Sequence, residues 1–581
     1  MRGWLKSYKD FLKNKYYVLL LSLTAVFSYG YLITHHTIGI DDTPSIAYFE
    51  EGLAAIVGRW VIFLLNKIVP VASIAPFLTD LIGVLLFMAA VTVWAVLLER
   101  IFGELMPKAG YFLFACLFLS NPLISEVYTY YLHNGISIGY LFSGISLCCF
   151  LSAVSEKKKS AWAGSVLSLV VAVGCYESFM IVYIMGVLLV LCSLRIAGRE
   201  KKGVFLPLCG AAAATVVSVL LRSLIVSGCI AIFGLESLSD QAVRRSVSEM
   251  LGWMMAPGAF SELGMILKRV IVMYGIFGYA YLPIRYYVIA VLCAAVCTVV
   301  YGIRRRDFRI PVLFLGGLIA SYLLIFIEGK ATLYRSAQFL PVFSAWGFFL
   351  TLLALRRLSA VIREIPLKIS GKGKAKEADS ASAEAEPSAK ISKKGKGLWS
   401  GNWLWAAGCL LTGIFLLNQC VDMNHWFYVD DRKYEDAKNT AQMVAYELEK
   451  SYDTSKPVLF TGTYLVPESI IGDAYVKYGS DTYYKMLRLT ELLDEHLLEK
   501  FQREYGVWVA QTPSLSVIEW GRTAFDTEEE LIAFFAMHGY ELKAYAGKTP
   551  NLEAEKEAAS LPHFPAEGSI VDKGDYILVH F

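Results

Sequence analysis

The chain has little charge for its length and no paired-cysteine motif. Only 18% of its 581 residues are charged, 56% are hydrophobic, and the mean hydropathy is +0.50. These proportions exclude an ordinary soluble protein and indicate many membrane spans, while a net charge of +3 gives no reason to expect a nucleic-acid partner. All eleven cysteines lie in or at the ends of apolar runs between Cys116 and Cys420, and none forms a CxxC pair. We therefore expect neither a disulfide framework nor a cysteine metal site.

Long apolar runs dominate the chain up to residue 420. A hydrocarbon core is crossed by about 20 apolar residues of helix. Runs of that size predict about eleven spans, near residues 16–34, 77–98, 110–127, 135–154, 160–176, 179–196, 204–233, 286–303, 310–327, 336–355 and 403–420. No small-residue cleavage site follows the first run, so we expect it to remain as a span. Two further apolar pieces, 53–70 and 266–282, contain basic residues and favour amphipathic or re-entrant helices at the interface.

The basic residues predict the orientation of these spans. Following the spans in order, lysine and arginine clusters at the N-terminus and in 155–160, 195–203, 301–309 and 356–397 all fall on one side. The acidic loop 35–52 falls on the other side. The positive-inside rule therefore predicts a cytoplasmic N-terminus, and an odd number of spans places the C-terminal end outside. The predicted fold class is a polytopic α-helical membrane protein.

The sequence divides into four predicted segments. A main transmembrane region covers 1–358, and a lysine-rich linker covers 359–400. The linker is rich in Ser, Ala, Gly, Lys and Glu, which bury too little apolar surface to offset chain entropy, so we expect a disordered cytoplasmic spacer. A last transmembrane helix follows at 401–420, and 421–581 forms an extracytoplasmic domain.

The C-terminal segment has the pattern of a small α/β domain. Apolar residues at helical spacing predict a helix over 434–452. Further helices are predicted at 482–502 and 527–538, and strands at 457–462, 507–511 and 575–581. The segment has neither a glycine-rich phosphate loop nor a plausible nucleophile triad, so we assign it no catalytic role.

Ionisable and polar residues collect in the loops predicted to lie outside. They are Asp41, Asp42, Arg59, Glu126, His133, Asn134, Glu177, Glu328, Lys330 and Arg335. Charges close to hydrocarbon are costly and tend to face a cavity when they persist. Because the loops on the other side carry mostly plain lysine and arginine runs, the asymmetry indicates a site that opens outward.

The residues alone leave several roles open. Asp41 and Asp42 precede Thr-Pro, so one of them suits a helix cap, while the other is available as a base or as an oxygen ligand of a divalent cation. Arg59 could extend its side chain to the lipid headgroups or bind a phosphate. The same two roles are open to Lys330 and Arg335. Glu177 suits either contact with a sugar hydroxyl or pairing within its hairpin. No metal site and no cofactor is assigned.

Five short segments carry a resemblance to a known family. They are IDDT (40–43), GRW (58–60), NP (121–122), YES (176–178) and NHWFYVDDRKYEDAKNTAQMV (424–444). Their order and spacing resemble the glucosyltransferase II family of bacterial membrane enzymes, which includes the phage-encoded O-antigen glucosyltransferases. The resemblance covers most of the membrane region and the helix after it. It implies a GT-C-like fold in the bacterial cytoplasmic membrane, with 1–358 as the catalytic region.

The resemblance also implies a reaction. Such enzymes are similar to inverting glycosyltransferases that move a hexose, here glucose, from an undecaprenyl-phosphate-linked donor to an extracytoplasmic glycan acceptor. Asp41 or Asp42 would act as the base, and Arg59, Lys330 and Arg335 would bind the donor phosphate. The sugar and acceptor contacts are assigned to the remaining polar residues of the outer loops, namely Glu126, His133, Asn134, Glu177 and Glu328.

Two other classes compete with a transferase. A lipid-sugar flippase or other polytopic transporter would place ionisable residues at mid-depth in its spans and would show repeated halves. The ionisable residues of this chain cluster at one predicted face, and no internal repeat is visible. A non-catalytic scaffold would not need acids and cations that converge from four loops.

Overall fold

The computed structural model describes most of the membrane region and parts of the C-terminal segment. The described residues are 2–35, 37, 51–68, 76–128, 134–199, 203–235, 252–255, 257–271, 274, 284–328, 336–370, 403–464, 520–521, 528–546 and 552–581. Within them the chain is mainly helical. The helices are α1 (Arg2–Lys13), α2 (Lys15–Thr34), α3 (Glu51–Ile56), α4 (Trp60–Ile68), α5 (Pro76–Phe102), α6 (Lys108–Leu119), α7 (Ser125–Tyr128), α8 (Asn134–Ser155), α9 (Lys159–Cys175), α10 (Phe179–Ala197), α11 (Phe205–Phe233), α12 (Ala259–Ile271), α13 (Arg285–Arg305), α14 (Arg309–Ser321), α15 (Leu323–Glu328), α16 (Phe339–Ser370), α17 (Trp403–Ser451), α18 (Glu528–Met537) and α19 (Leu552–Ala558).

The helices follow the predicted membrane spans. Among the described residues eight helices are long and apolar enough to cross a bilayer, namely α2, α5, α8, α10, α11, α13, α16 and α17. Shorter apolar helices lie at the other three predicted positions, over Lys108–Ile124, Lys159–Cys175 and Arg309–Ser321. The chain is therefore a polytopic membrane protein, and the count of eleven spans stays a prediction. All eleven cysteines are free.

Contacts between helix ends define two ends of the bundle. At one end, which we call the basic end, the Trp4 indole N–H donates to Ser152 Oγ at 2.8 Å and the Arg100 guanidinium lies over the Trp4 ring. Arg195 forms an ion pair with Asp307 at the same end. The opposite end, where α2 ends and α5 begins, is called the first-loop end.

Buried tyrosines join the helices near the first-loop end. The Tyr29 hydroxyl donates to the Leu119 carbonyl at 2.7 Å, and the Tyr140 hydroxyl donates to the Gln338 carbonyl at 2.7 Å. Tyr29 and Tyr140 are both fully buried. A hydroxyl buried in an apolar bundle is costly unless it is hydrogen-bonded, so these bonds favour one arrangement of the helices.

The last predicted span and the helix predicted after it are one continuous helix. The sequence predicts a span ending near 420 and a separate helix beginning near 434, whereas α17 runs without a break over 49 residues, about 74 Å. The drop in hydropathy after Cys420 marks a change of surroundings. It does not end the helix, because no glycine or proline occurs between Ile414 and Ser451. The helix thus joins the membrane bundle to the C-terminal segment.

The described parts of the C-terminal segment contain both helices and strands. Its strands are β1 (Pro457–Thr461), β2 (Thr463–Tyr464), β3 (Trp520–Gly521), β4 (Lys543–Ala544), β5 (Ile570–Asp572) and β6 (Ile577–His580). A four-stranded sheet has the order β4-β1-β6-β5, in which β1 is parallel to both neighbours and β5 is antiparallel to β6; β2 and β3 form a separate pair. The predicted helix 482–502 and strand 507–511 lie outside the described residues.

Both faces of this sheet are covered, as its continuous apolar strands require. Val458 and Phe460 pack with the second half of α17 and with α18. Leu459 and Leu578 point to the other face and pack with α19. Strands that are buried on both faces read as apolar runs without alternation, which is the pattern seen in β1 and β6.

Acid is expected to weaken this domain through two histidines. Burial, together with the neighbouring His563, lowers the pKa of His580 below its ordinary value of 6.5, and burial together with Lys438 lowers the pKa of His538. Below about pH 6.5 the unfolded chain therefore binds protons that the folded domain does not. The stability that the two neutral histidines contribute to the folded domain is therefore complete above this pH. It falls as the pH drops towards the folded-state pKa values.

Hydrogen exchange of peptides that cover β1 and β6, corrected for the intrinsic rate at each pH, measures this loss. A His580→Gln variant should show a smaller change between pH 7.5 and 5.5 than the unmodified protein. Equal protection at both pH values in the unmodified protein would show that the histidines do not control the domain's stability.

Candidate functional site

A sharp turn between α3 and α4 lies at the centre of the candidate site. Gly58 adopts a left-handed backbone with a φ of +92°, which favours glycine. Arg222 of α11 lies against this turn, where its Nε donates to the Gly58 carbonyl at 3.1 Å and its Nη2 to the Val57 carbonyl at 3.3 Å. A Cβ on residue 58 would lie 2.0 Å from Arg222 Nη2. The backbone conformation therefore favours glycine here, and a Cβ would displace the Arg222 guanidinium.

Arg59 follows directly and points towards the hairpin between α9 and α10. Its guanidinium carbon lies 4.0 Å from the centre of the Tyr176 ring, and its Nη2 lies 3.6 Å from Glu177 Oε1. The sequence places Arg59 on an amphipathic helix with Val57, and this detail is wrong, because the left-handed Gly58 separates α3 from α4 and leaves Arg59 in the turn. The sequence gives no sign that Arg59 and Glu177 form a pair.

Three buried polar atoms at this junction have no hydrogen-bond partner among the described residues. They are Arg59 Nε, Trp60 Nε1 and Glu177 Oε2. The Trp60 indole lies so close to α9 that a Cβ on Gly174 would be 2.1 Å from its nitrogen. Buried polar atoms are nearly always hydrogen-bonded, so three unpaired ones at one junction leave capacity there for hydrogen bonds to a polar ligand or to water.

The hairpin that carries Glu177 is held against the start of α16. The Tyr176 and Ser336 hydroxyls are 3.2 Å apart, and Ser178 donates to the side chain of Gln338. The Gln338 carbonyl in turn accepts the Tyr140 hydroxyl of α8. These bonds fix the Tyr176 ring, and therefore the surface on which Arg59 lies.

The candidate residues from the sequence divide into three groups. Arg59 and Glu177 are described and lie together. Glu126 lies in α7, Asn134 begins α8 and Glu328 ends α15, but the description of these three covers their backbone alone. The others lie outside the described residues, namely Asp41, Asp42, His133, Lys330 and Arg335. The roles assigned to all of them stay predictions.

Sequence reasoning missed several charged residues at the first-loop end. Arg222 contacts the Gly58 turn, and Asp80 near the start of α5 is buried. Asp422 and Asp430 of α17 are also buried. An ionisable residue inside an apolar run is a sign of function by itself, and this sign is present at Asp80 and Arg222. Arg285 and Tyr286 donate to Asp422, and Thr37 donates to Asp430. These donors are more than a hundred residues away along the chain, and no sequence pattern indicates them.

A metal site gains no support from the described part of the chain. Across the residues that the structure describes, no group of three or more His, Cys, Asp or Glu side chains could hold an ion. The acidic pair Asp41 and Asp42 lies outside those residues. The described part of the candidate site consists of arginines, a carboxylate and aromatic rings.

The fold and this site define a polytopic membrane protein with a cluster of cationic, acidic and aromatic side chains at one end of its bundle. A family model described as glucosyl transferase GtrII matches residues 30–352, which is more than half of the chain. The chain belongs to this family and is a membrane glucosyltransferase, as its resemblance implied. No curated protein and no solved structure matches it. The matched residues include the Gly58 turn and the Tyr176–Glu177 hairpin and end before α17.

Replacing Gly58 with alanine tests the turn. We expect a loss of about 1–3 kcal/mol of stability, because the left-handed backbone becomes strained and Arg222 is displaced. Gly234→Ala is a matched control, since Gly234 is also left-handed but has open space around its Cβ position. The apparent melting temperature in detergent should fall further for Gly58→Ala than for Gly234→Ala. Equal shifts would show that the Arg222 contact contributes nothing.

Proposed function

We propose that the protein transfers a hexose, glucose in the first instance, from undecaprenyl-phosphate-linked sugar to a glycan outside the cytoplasmic membrane. The observation that carries this proposal is the junction of Arg59, Tyr176 and Glu177, with its three buried and unpaired polar atoms. A guanidinium suits a phosphate, and aromatic and carboxylate groups suit the face and hydroxyls of a sugar. Membership of a glucosyltransferase family supports the same reading.

The proposed orientation follows the basic residues. With the basic end in the cytoplasm, α2 delivers the acidic first loop to the outside, and α17 delivers the C-terminal domain to the same side. Arg195, Arg304 and Arg357 then all lie on the cytoplasmic side. The donor sugar and the acceptor would meet at the first-loop end.

The proposed reaction is a single displacement. Asp41 or Asp42 takes the proton of an acceptor hydroxyl, and that oxygen attacks the anomeric carbon while the bond to the phosphate oxygen breaks. Polyprenyl phosphate leaves with the bonding electrons and gains negative charge. Arg59, together with Lys330 and Arg335, neutralises that charge where preorganised cations have most effect. Attack from the face opposite the leaving group inverts the anomeric carbon.

The remaining polar residues are proposed to bind the two sugars. Glu177 is next to Arg59 and is the member of this set whose side chain is described; the set also contains Glu126, His133, Asn134 and Glu328. Near Glu177, Tyr176 offers the face of its ring and Trp60 offers an unpaired indole N–H. Sugar recognition of this kind combines an aromatic surface with a few directed hydrogen bonds.

Radiolabelled undecaprenyl-phosphate glucose tests the proposal directly. The purified protein is placed in lipid vesicles with the donor and with cell-envelope glycan as the acceptor. A transferase moves the label to the glycan and releases polyprenyl phosphate, whereas a flippase moves intact donor between leaflets. Label that stays on the lipid and in its original leaflet would contradict both functions.

A further inference from the structure

Two arginines meet between three helices at the basic end of the bundle. Arg305 ends α13, and its Nη1 would lie 2.6 Å from a Cβ on Gly198, which directly follows α10. Arg357 of α16 lies against the same end of α10, where its Nη2 donates to the Ile196 carbonyl at 3.5 Å. The two guanidinium groups are close enough to repel each other. We call Arg305 and Arg357 the arginine pair.

A buried tyrosine lies beside the arginine pair. The Arg357 guanidinium carbon is 4.8 Å from the centre of the Tyr301 ring. Tyr301 also precedes Arg305 by four residues, so both lie on one face of α13. Tyr301 is 4% exposed, and its hydroxyl is buried with no hydrogen-bond partner among the described residues. Because buried hydroxyls are nearly always hydrogen-bonded, this one has a hydrogen bond to offer, beside two cations, to a group from outside the chain.

The positive charge of the arginine pair is not balanced within the described part of the chain. Neither Arg305 nor Arg357 forms an ion pair with a described carboxylate, and the acid that follows α13, Asp307, pairs with Arg195. The C-terminus of α10 carries about half a unit of negative charge, which is much less than the two positive charges placed against it. The arginine pair is therefore expected to attract an anion.

The chemistry of this cluster suits a phosphate ester, and its position suits a lipid. Guanidinium groups bind phosphate oxygens through paired N–H donors, and a tyrosine hydroxyl can donate to a further oxygen. Both α13 and α16 are long and apolar enough to cross a bilayer, so their ends here are expected at the level of the headgroups. Close by in the sequence, Ile303 and Phe308 are each 73% exposed, which suits side chains that contact acyl chains.

We propose that Tyr301, Arg305 and Arg357 bind the phosphate of an anionic phospholipid, such as phosphatidylglycerol, in the leaflet at the basic end. The two guanidinium groups contact the phosphate oxygens, and the Tyr301 hydroxyl donates to one of them. Basic pockets between membrane helices are suited to anionic headgroups. The bound lipid joins the ends of α10, α13 and α16. This site lies at the end of the bundle opposite the Arg59–Glu177 junction, so it does not depend on the proposed sugar transfer.

Native mass spectrometry of the full-length protein in detergent tests the arginine pair. The unmodified protein should retain phosphatidylglycerol more strongly than phosphatidylcholine with the same acyl chains. Arg305→Ala and Arg357→Ala should each weaken the binding of phosphatidylglycerol at least about fivefold, which is the contribution of one basic residue at an anionic membrane surface. Arg309→Ala is a matched control, since it removes another exposed arginine four residues after Arg305. Equal retention of the two lipids, or an equal loss in the control, would overturn the proposal.

Tyr301→Phe tests the site with little risk to the fold, because it keeps the ring beside Arg357. The hydroxyl has no partner among the described residues, so without added lipid the variant should melt no lower than the unmodified protein. Added phosphatidylglycerol should raise the apparent melting temperature of the variant less, because a ligand stabilises a protein according to how tightly it binds the folded state. Equal rises in both proteins would show that the hydroxyl does not contact the lipid, which contradicts the proposed site.

Inorganic phosphate distinguishes a lipid from a soluble anion. At equal concentration it should raise the apparent melting temperature less than phosphatidylglycerol does, because it gains no apolar contact with the bundle. If phosphate alone matches the lipid, the ligand is a soluble phosphate and the lipid assignment is wrong. If neither ligand raises the melting temperature, the arginine pair serves only to cap α10. None of these measurements requires sugar transfer, so they hold whatever the outcome for the proposed function.

Discussion

Asp41→Asn and Asp42→Asn are expected to fold normally, and at least one of them should lose hexose transfer. A general base contributes about 10²–10⁴-fold to the rate, and asparagine keeps the shape of the side chain while it removes the proton acceptor. The loss should appear in kcat, because donor binding through the arginines is not changed. Initial rates with radiolabelled polyprenyl-phosphate glucose measure it.

Two controls make this result specific. Asp10→Asn removes an exposed acid of α1 at the basic end and should leave the rate unchanged. The apparent melting temperature of the Asp41 and Asp42 variants should match that of the unmodified protein. Full activity in both variants would remove the base from the first loop, whatever the reaction.

The repeating parts of the fold could be predicted from the sequence. Apolar runs of about 20 residues identify spans such as α8 and α13 to within a few residues. In lipid the backbone N–H and C=O groups must be hydrogen-bonded within the chain, and a helix achieves this. The apolar strands β1 and β6 were predicted for a similar reason, since burial on both faces produces a continuous run. The continuity of α17 could not be predicted in this way, because a fall in hydropathy does not by itself end a helix.

The candidate site could be predicted only in part. Charged residues near apolar runs are unusual, which marks Arg59 and Glu177 in the sequence, and the structure shows that they meet. Their meeting depends on the left-handed Gly58, and a glycine in an apolar stretch does not reveal its φ. The bond between Thr37 and Asp430 joins residues 393 positions apart, and such a contact depends on the packing of the whole bundle.

Replacing Arg59 should reduce transfer far more than it reduces stability. The Arg59–Glu177 pair is partly exposed and 3.6 Å apart, so its contribution to folding is at most about 1 kcal/mol. Under the proposed mechanism the same guanidinium neutralises a leaving phosphate, and the loss of one preorganised group of this kind costs about 10²–10³-fold in rate. Arg59→Ala should show this loss in kcat/KM with little change in the apparent melting temperature.

Two further variants separate charge from geometry at this position. Arg59→Lys keeps the charge and loses the planar contact with Tyr176, so an intermediate rate is expected. Glu177→Gln keeps the charge of Arg59 but removes its partner carboxylate and a proposed sugar contact, so the donor KM should rise. Arg304→Ala, an exposed arginine at the basic end, serves as the control for the loss of one charge. If Arg59→Ala and Arg304→Ala transfer sugar equally well, the phosphate lies elsewhere, and the contact with Glu177 serves only to join the α3–α4 turn to the α9–α10 hairpin.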